Sequence, residues 1–309
     1  MNEFDLIEKY FNWKGEDSSL LGVGDDCALI SIDSQYQIAT SVDTLIEGVH
    51  FPKDTSASDI AHKALAVNLS DLAAMGATPQ YFTLALTLPK LDEIWLKDFS
   101  SSLKALANLH HITLVGGDTT KGMLSITINV TGIVTKSRAL LRSSAQVGDT
   151  IFVSNTLGDA GLAWQQIQQN IRPSGPLLKS FNTPDPQIKL GCALVGIANA
   201  CIDVSDGLEQ DLGHILKRSN LGARINLADI PLSSEVQTYI QESQDWCLVL
   251  AGGDDYQLCF TVAQNKIKQV ERLSQDLNVK LTPIGTITQE LGLERLGGFE
   301  KKCTSYKHF

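Results

Sequence analysis

The sequence has no long apolar run, no closely spaced cysteine pair and no excess of basic residues. Because no stretch approaches about 18 uncharged apolar residues, we predict no transmembrane helix, and the acidic start Met1–Asp5 is unlike a secretory signal. The six cysteines form no Cys-x-x-Cys pair, so we expect reduced thiols in a cytoplasmic protein. A net charge of −10 argues against nucleic acid as a partner.

Several familiar active-site signatures are also missing. The chain lacks the G-x-x-x-x-G-K-[ST] phosphate loop, the protein-kinase H-R-D and D-F-G motifs, the G-x-S-x-G nucleophile turn and the H-E-x-x-H zinc motif. The segment GVGDD at 22–26 is not followed by a third glycine and a helix, so the dinucleotide fingerprint fails as well. These absences exclude the corresponding classes of enzyme.

The apolar content that is present suffices for two ordinary domains. The chain has 309 residues, of which 43% are hydrophobic, and domains commonly contain about 100–200 residues. Strand and helix patterns alternate in both halves, but the strand-rich first half is not a clean β-α-β series. We therefore predict an α/β fold with mixed sheets, and the polar segment 135–149 predicts domains of 1–138 and 139–309.

Aspartate outnumbers glutamate by 23 to 12. Helical surfaces usually favour glutamate, because aspartate competes with the helix backbone for hydrogen bonds. Helix caps and turns account for half or more of these aspartates. Metal binding by short carboxylates is the alternative for the remainder.

The clearest candidate lies within a predicted helix over 58–75. Asn68 and Asp71 are three residues apart and therefore share one face. The helix is otherwise apolar on most sides, which predicts burial, and a buried carboxylate needs a cation or several hydrogen-bond donors. An ion pair with Lys63 or Arg138, a cap on a neighbouring loop and metal binding all remain open at this point.

Two further motifs place aspartates beside predicted strands. The motif GGD at 116–118 follows a predicted strand at 112–115, and its glycines allow a ligand to approach the backbone closely. Residues 202–208 (IDVSDGL) read as a strand followed by a helix start, with Ser205 or Asp206 as the N-cap. Turn and capping roles are the alternatives for both motifs.

Taken together, these motifs predict an oxygen-lined cation site. Oxygen ligands select Mg²⁺, Mn²⁺ or Ca²⁺ over zinc, and no EF-hand loop is present. Mg²⁺ commonly combines one or two carboxylates with substrate phosphates, so an acidic protein can bind acidic substrates through the metal. The candidate ligands are Asp26, Asp43, Asp71, Asp118, Asp203 and Asp206.

The ordered motifs resemble the thiamine-monophosphate kinase family almost end to end. They are GVGDDCALI (22–30), SVDTLIEGVHF (41–51), KALAVNLSDLAAMGATP (63–79), LVGGDTT (114–120), LLRSSAQVGD (140–149), IDVSDGLEQDLGHI (202–215) and AGGDDYQLCF (251–260). The resemblance implies a two-domain fold of the aminoimidazole-ribonucleotide-synthetase-like superfamily, with a homodimer formed through the N-terminal sheets. It further implies Mg²⁺-dependent transfer of the ATP γ-phosphoryl group to thiamine monophosphate, the last step of thiamine diphosphate biosynthesis. A different acceptor within the superfamily and a non-catalytic nucleotide-binding protein remain as alternatives.

The same resemblance implies roles for individual residues. The implied Mg²⁺ ligands are Asp26, Ser41, Asp43, Asp71, Asp118, Asp203 and Asp206, together with the backbone carbonyl of Val42. The implied ATP contacts are Gly117, Asp118, Arg142 and Ser205, and the implied substrate contacts are His50, Asp254 and Tyr306. Asp254 departs from the glutamate often found there in the family. We expect Asp43, Asp71, Asp118 and Arg142 to be catalytic. No general base is needed, because a phosphomonoester with a second pKa of about 6 is already mostly ionised at neutral pH.

Overall fold

The computed structural model describes residues 9–10 and 33–304, which divide into two compact units. The first unit comprises the described residues up to Leu72 together with Ala77–Ser137. The second comprises Ala73–Gly76 together with the described residues from Arg138 onward. The division after Ser137 falls one residue before the predicted domain boundary.

The first unit is built on a four-stranded mixed sheet. Its strands are β1 (Tyr36–Ile46), β2 (Thr78–Leu88), β3 (Thr113–Lys121) and β4 (Ser125–Thr135). They lie in the order β1-β4-β2-β3, with β4 antiparallel to both neighbours and β2 parallel to β3. Two helices, α1 (Ala57–Ala74) and α2 (Glu93–Leu109), complete the described part of this unit.

Among the residues that the structure describes, one face of this sheet is buried and the other, called the open face below, carries exposed side chains. Ile126, Ile128 and Val130 of β4 are fully buried, and the pairing register places Ser41, Asp43 and Leu45 of β1 beside them. Successive residues of a strand point to opposite faces, so Ile38 and Val42 belong to the other face. Their side chains are 53% and 57% exposed.

The second unit contains a six-stranded sheet and seven helices within its described residues. The strands are β5 (Thr150–Ser154), β6 (Ala200–Val204), β7 (Gly222–Asn226), β8 (Gln257–Val262), β9 (Leu281–Thr288) and β10 (Gly292–Leu296), in the order β10-β7-β9-β5-β8-β6. The helices are α3 (Asp159–Gln168), α4 (Gly175–Asn182), α5 (Ile188–Leu194), α6 (Leu208–Ser219), α7 (Ser234–Ser243), α8 (Cys247–Ala251) and α9 (Ile267–Leu277). Short 3-10 turns occupy Leu227–Asp229 and Gln264–Lys266. The prediction of an α/β fold with mixed sheets is confirmed.

The two helices of the first unit are the longest in the described residues. The longest described helix, α1, has 18 residues and carries both Asn68 and Asp71. Helix α2 begins beside Asp92, whose side chain accepts the N–H groups of Ile94 and Trp95. Among the described residues, no helix is both long and apolar enough to cross a membrane.

Some elements of the second unit were not predicted from the sequence. Helix α4 lies in the proline-rich stretch 170–186, where Ser174 caps it and Pro176 occupies its first turn. Proline is well tolerated there, because the first helical N–H groups have no partner within the helix. Helix α5, which follows, has only seven residues, and Gly196 soon after it has a φ of +83°.

The expectation of six reduced thiols is wrong for two of the cysteines. Cys247 at the start of α8 and Cys303 near the C-terminal end form a disulfide, with their Cα atoms 5.2 Å apart. Cys201 and Cys259 remain buried thiols, and Cys27 lies outside the described residues. A separation of 56 residues gives no local signal for such a bond.

We expect Cys303→Ser to lower the free energy of unfolding of the oxidised protein by about 2–4 kcal/mol, because the disulfide restricts the unfolded chain. Urea unfolding of the oxidised parent and the variant measures the difference. The matched control is the parent in excess dithiothreitol, which should unfold like the variant. An oxidised parent whose unfolding is unchanged by dithiothreitol would contradict a stabilising bond.

Candidate active site

In the first unit, strand β1 and helix α1 bring a set of polar side chains together. The Ser41 hydroxyl donates to Oδ2 of Asp71 at 2.5 Å. The backbone N–H of Asp43 donates to Oδ1 of Asn68 at 3.1 Å, and Nδ2 of Asn68 donates to the Ala64 carbonyl at 2.9 Å. Asn68 and Asp71 thus share one helix face, as the three-residue spacing predicts. Helix and strand are fixed to each other at these positions.

The carboxylates of Asp43 and Asp71 act on each other. Burial and the charge of Asp71 raise the pKa of Asp43 to about 6. The predicted burial of Asp71 is only partly correct: residues 63–70 of α1 are buried, whereas Asp71 is half-buried. Two carboxylates at one apolar surface repel each other, so a cation between them would stabilise the ionised pair.

Val42 and His50 flank this carboxylate pair along the chain. Val42 lies between Ser41 and Asp43 on the open face of the sheet, opposite Asn129 of β4 in the pairing register. Nδ1 of His50 accepts the Ile46 N–H at 3.0 Å, which leaves Nε2 to carry the proton of the neutral ring. The turn after β1 therefore orients the imidazole through the backbone.

The structure does not place Asp118 beside that pair. The predicted strand was expected to end before GGD, but β3 continues to Lys121, so Gly117 and Asp118 lie within the strand. β4 and β2 separate β1 from β3, and three interstrand steps of about 4.8 Å amount to roughly 14 Å across the sheet. A Cβ at Gly117 would meet the Leu84 carbonyl oxygen at 1.9 Å. The glycine thus serves close strand packing, and Asp118 is exposed beside it.

In the second unit, Asp203 and Arg142 lie near strand β6. Asp203 is 3% exposed and stands opposite Leu258 of β8. Burial raises the pKa of the Cys201 thiol well above its usual range; the Asp203 carboxylate adds to the rise, and the Arg142 guanidinium opposes it. Both charges therefore act at the same edge strand, although Arg142 itself is exposed.

The turn that follows β6 is held by a carboxylate that was not predicted. The expected N-cap, Ser205 or Asp206, is wrong: the cap of α6 is Gly207, and no side chain bonds there as a cap. Instead, Oδ2 of Asp211 accepts three N–H groups, from Ser205 and Asp206 at 3.0 Å and from Gly207 at 3.1 Å. Burial raises the pKa of Asp211 to about 7, and these hydrogen bonds oppose the rise.

A second loop, 252–256, packs against this turn. The Asp254 N–H donates to the Ser205 carbonyl, and the Tyr256 N–H donates to the Val204 carbonyl, both at 2.8 Å. The Tyr256 hydroxyl donates to Oδ1 of Asp254 at 2.8 Å. Gly253 has a φ of +69°, and a Cβ there would meet the Ser205 carbonyl oxygen at 2.5 Å. Glycine is therefore required for the two loops to approach so closely.

Two of the expected site residues, Asp26 and Tyr306, lie outside the described residues. Among the remaining candidates of the first unit, Ser41, Val42 and His50 lie around Asp43 and Asp71, whereas Gly117 and Asp118 lie across the sheet on β3. In the second unit, Asp203 lies in β6, and Ser205, Asp206 and Asp254 lie in the two adjoining loops. Asn129 was also missed: its Nδ2 donates to the Ser41 carbonyl at 3.0 Å. Its one sequence signal is an amide in an otherwise β-branched strand, and for Asp211 the signal is an acidic residue on the apolar face of α6.

The donor set around Asp43 and Asp71 fits a divalent cation that is bound partly by the protein and partly by phosphate oxygens. Within residues 9–10 and 33–304, no three His, Cys, Asp or Glu side chains are grouped to hold an ion on their own. Mg²⁺ needs no such cage, because it binds through one or two carboxylates plus phosphate oxygens and water. Asp43 and Asp71, with the Ser41 hydroxyl, are a donor set of that kind.

Comparison with known proteins assigns the chain to a family. Residues 24–134 match the N-terminal domain of AIR synthase related proteins, and residues 146–295 match the C-terminal domain. Thiamine-monophosphate kinase from Haemophilus influenzae is 46% identical over 298 residues, which cover 94% of this chain and 91% of that protein. The chain belongs to the thiamine-monophosphate kinase family. The resemblance inferred from the motifs is confirmed.

Solved structures of this kinase family share the fold. The thiamine-monophosphate kinase of Stenotrophomonas maltophilia superposes with a TM-score of 0.87 at 42% identity, covering 91% of this chain and 92% of that chain. A structure of AaThiL complexed with AMPPCP and TMP superposes with a TM-score of 0.79 at 29% identity, covering 99% and 96%. That relative binds an ATP analogue and TMP on the same architecture.

We expect Asp43→Asn to stabilise the metal-free protein at neutral pH by about 1 kcal/mol, a value discounted for partial exposure. The folded pKa of Asp43 is about 6 against a reference value of 3.8. Its ionised carboxylate therefore destabilises the fold above that pKa, and this cost is lost as the pH falls towards 4. Urea unfolding in EDTA at pH 7.5 and pH 5 measures the gain, which should shrink at the lower pH.

The control for this measurement is Asp98→Asn, which neutralises an exposed carboxylate on α2 and should leave the free energy of unfolding almost unchanged. Saturating Mg²⁺ should stabilise the parent more than Asp43→Asn. Equal stability of Asp43→Asn and the parent in EDTA at pH 7.5 would refute the repulsion between Asp43 and Asp71.

Proposed function

We propose that this chain transfers the γ-phosphoryl group of ATP to thiamine monophosphate, forming thiamine diphosphate. The observation that carries the proposal is similarity over nearly the whole length to thiamine-monophosphate kinases, at 46% identity to the Haemophilus influenzae protein. The AaThiL complex with AMPPCP and TMP, which aligns over 99% of this chain, supports the same pair of substrates. The carboxylates of both units could hold the cations that phosphoryl transfer requires.

In this proposal the first unit holds the cation and part of the nucleotide. Asp43 and Asp71 would bind Mg²⁺, together with the Ser41 hydroxyl and the Val42 carbonyl. Asp26 is a further proposed ligand, and Asp118, which lies across the sheet from this pair, would bind a second cation; Gly117 offers its backbone to ATP. When bound, the cation would neutralise phosphate charge and align donor with acceptor. The hydrogen bond from the Ser41 hydroxyl orients the Asp71 carboxylate, and the bond from the Asp43 backbone N–H to Asn68 fixes the strand beside it.

The second unit would contact the nucleotide and further metal through β6 and the turn after it. Asp203 and Asp206 are proposed as ligands, and Ser205 as an ATP contact. The exposed guanidinium of Arg142 can bind two phosphate oxygens at once, which a point charge cannot. The positive charge of Arg142 would stabilise the negative charge that shifts between the phosphates during transfer.

Recognition of the thiamine moiety is assigned to His50, Asp254 and Tyr306. The His50 ring is oriented by the Ile46 N–H, and the Asp254 carboxylate by the Tyr256 hydroxyl. The acceptor phosphate is already ionised near neutral pH. The chain's task is therefore to reduce repulsion between two polyanions and to align them, and direct transfer needs no general base.

We further propose that the protein is a homodimer joined through the open face of the first unit's sheet. That face exposes Ile38 and Val42, and its β4 residues are partly buried threonine, asparagine and isoleucine. Apolar and β-branched side chains on an uncovered sheet face favour burial against a second copy. We place the reaction in the cytoplasm, where ATP is supplied.

The decisive experiment incubates the protein with ATP, Mg²⁺ and thiamine monophosphate and measures thiamine diphosphate by chromatography. We expect product from the monophosphate, none from free thiamine, and none in EDTA. Asp71→Asn should fold like the parent and lose at least about 100-fold in turnover, since it removes a proposed ligand. ATP consumption without thiamine diphosphate would indicate a different acceptor, as in other members of the superfamily. Binding of ATP without turnover would indicate a non-catalytic nucleotide-binding protein.

The homodimer is tested by light scattering after size exclusion. We expect the parent to run as a dimer and Ile38→Lys to shift towards the monomer, because a lysine charge would be buried at the interface. Ile94→Lys is the matched control: Ile94 is 77% exposed on α2, in the same unit but off the sheet. A monomeric parent, or two variants with the same behaviour, would contradict dimerisation through this face.

A further inference from the structure

Asp211 is a buried carboxylate to which neither the family resemblance nor the proposed mechanism assigns a role. It lies in the first turns of α6 and is 3% exposed. One oxygen, Oδ2, accepts the N–H groups of three consecutive residues, Ser205, Asp206 and Gly207. Burying a carboxylate is costly unless donors compensate for the lost water, and these three N–H groups provide part of that compensation.

The three N–H groups belong to the turn that carries two proposed site residues. Ser205 is the proposed ATP contact and Asp206 a proposed metal ligand. Gly207, at the end of the turn, has a φ of +116°, and a Cβ there would meet the Ala251 Cα at 2.5 Å. Convergence of three donors on one atom fixes the path of this backbone, and with it the direction of both side chains.

The opposite side of the turn is held by the loop with the proposed substrate contact. The Ser205 carbonyl accepts the Asp254 N–H, and the Val204 carbonyl accepts the Tyr256 N–H. The Asp206 carboxylate also accepts Nε2 of Gln210, at 2.7 Å. The N–H groups of the turn are thus held by Asp211 and its carbonyl groups by the 252–256 loop. A shift of the turn would move the nucleotide-binding and thiamine-binding groups together.

We propose that Asp211 is a positioning residue for phosphoryl transfer: it holds Ser205 and Asp206 in the geometry that binds nucleotide and metal, without itself touching either. The proposal rests on the proposed function, since it concerns the same site. Carboxylates and amides that orient metal-binding groups typically change metal affinity or activity by about 10–100-fold when they are replaced. An effect of that size is expected here.

The test compares Asp211→Asn with Asp149→Asn. Asp149 is 2% exposed and accepts hydrogen bonds from the Gln146 N–H, Asn199 and Thr261. It is thus about equally buried and also accepts several hydrogen bonds, and these come from neither the 205–207 turn nor the 252–256 loop. Asn199 and Thr261 lie at the Ala200 end of β6, whereas Asp211 acts beyond its Val204 end.

The readouts are kcat, KM for both substrates, the Mg²⁺ concentration for half-maximal activity, Mg-ATP affinity by calorimetry, thermal stability and amide exchange at residues 205–207. We expect Asp211→Asn to lower kcat or raise the Mg²⁺ requirement by about 10–100-fold, with faster exchange of those three amides. Asp149→Asn should lose stability while keeping kcat and Mg²⁺ dependence. If Asp211→Asn does not fold, Asp211→Glu, which keeps the charge and moves it by one methylene, is judged by the same criteria.

The proposal would be overturned if Asp211→Asn lost stability but kept the parental kcat, Mg²⁺ dependence and Mg-ATP affinity. Unchanged exchange of the 205–207 amides would overturn it as well. Failure of the proposed function is distinguishable, because the parent itself would then form no thiamine diphosphate. In that case Mg-ATP affinity and amide exchange still decide whether Asp211 positions the turn.

Discussion

Repulsion between carboxylates is the constraint on which both candidate sites depend. In the first unit, Asp43 and Asp71 lie at one surface between β1 and α1, where burial and mutual repulsion disfavour the doubly ionised state. The fold tolerates this because Asn68 and the Ser41 hydroxyl fix the backbone and one carboxylate in place. The packing of apolar residues along α1 therefore holds together two charges that would separate in a free chain.

The second unit resolves the same difficulty in another way. Asp211 and Asp255 are buried too, and backbone N–H groups offset part of that cost: three for Asp211, and the Gly158 N–H, shared by both oxygens, for Asp255. Burial still raises the pKa of both carboxyls, so these hydrogen bonds hold the loops in place without cancelling the cost. At Asp43 the neighbouring Asp71 charge adds to the cost of burial, and a cation between the two carboxylates would offset that repulsion, which makes the first unit a candidate for metal binding. Surroundings, rather than residue type, separate structural from functional aspartates.

Much of this arrangement could be predicted from local patterns. The three-residue spacing of Asn68 and Asp71 placed them on one helix face. Strand β3 was cut short because its glycines suggested a turn, whereas Gly117 actually allows the strand to pack against Leu84. Asp211 was missed because its partners are backbone groups, which have no sequence signature. The Cys247–Cys303 bond depends on tertiary proximity across 56 residues, and spacing alone does not encode it.

The backbone at Asp254 gives the family's Glu-to-Asp difference a physical meaning. Asp254 has a φ of +62°, in the left-handed region that aspartate and asparagine enter far more readily than longer side chains do. A glutamate at this position would extend the carboxylate by one methylene but would fit that backbone less well. A longer side chain at this residue would therefore reach further towards a ligand but would adopt the left-handed backbone less readily. This chain has aspartate, which suits that backbone conformation. Its carboxylate therefore lies closer to the main chain than the carboxylate of a glutamate would.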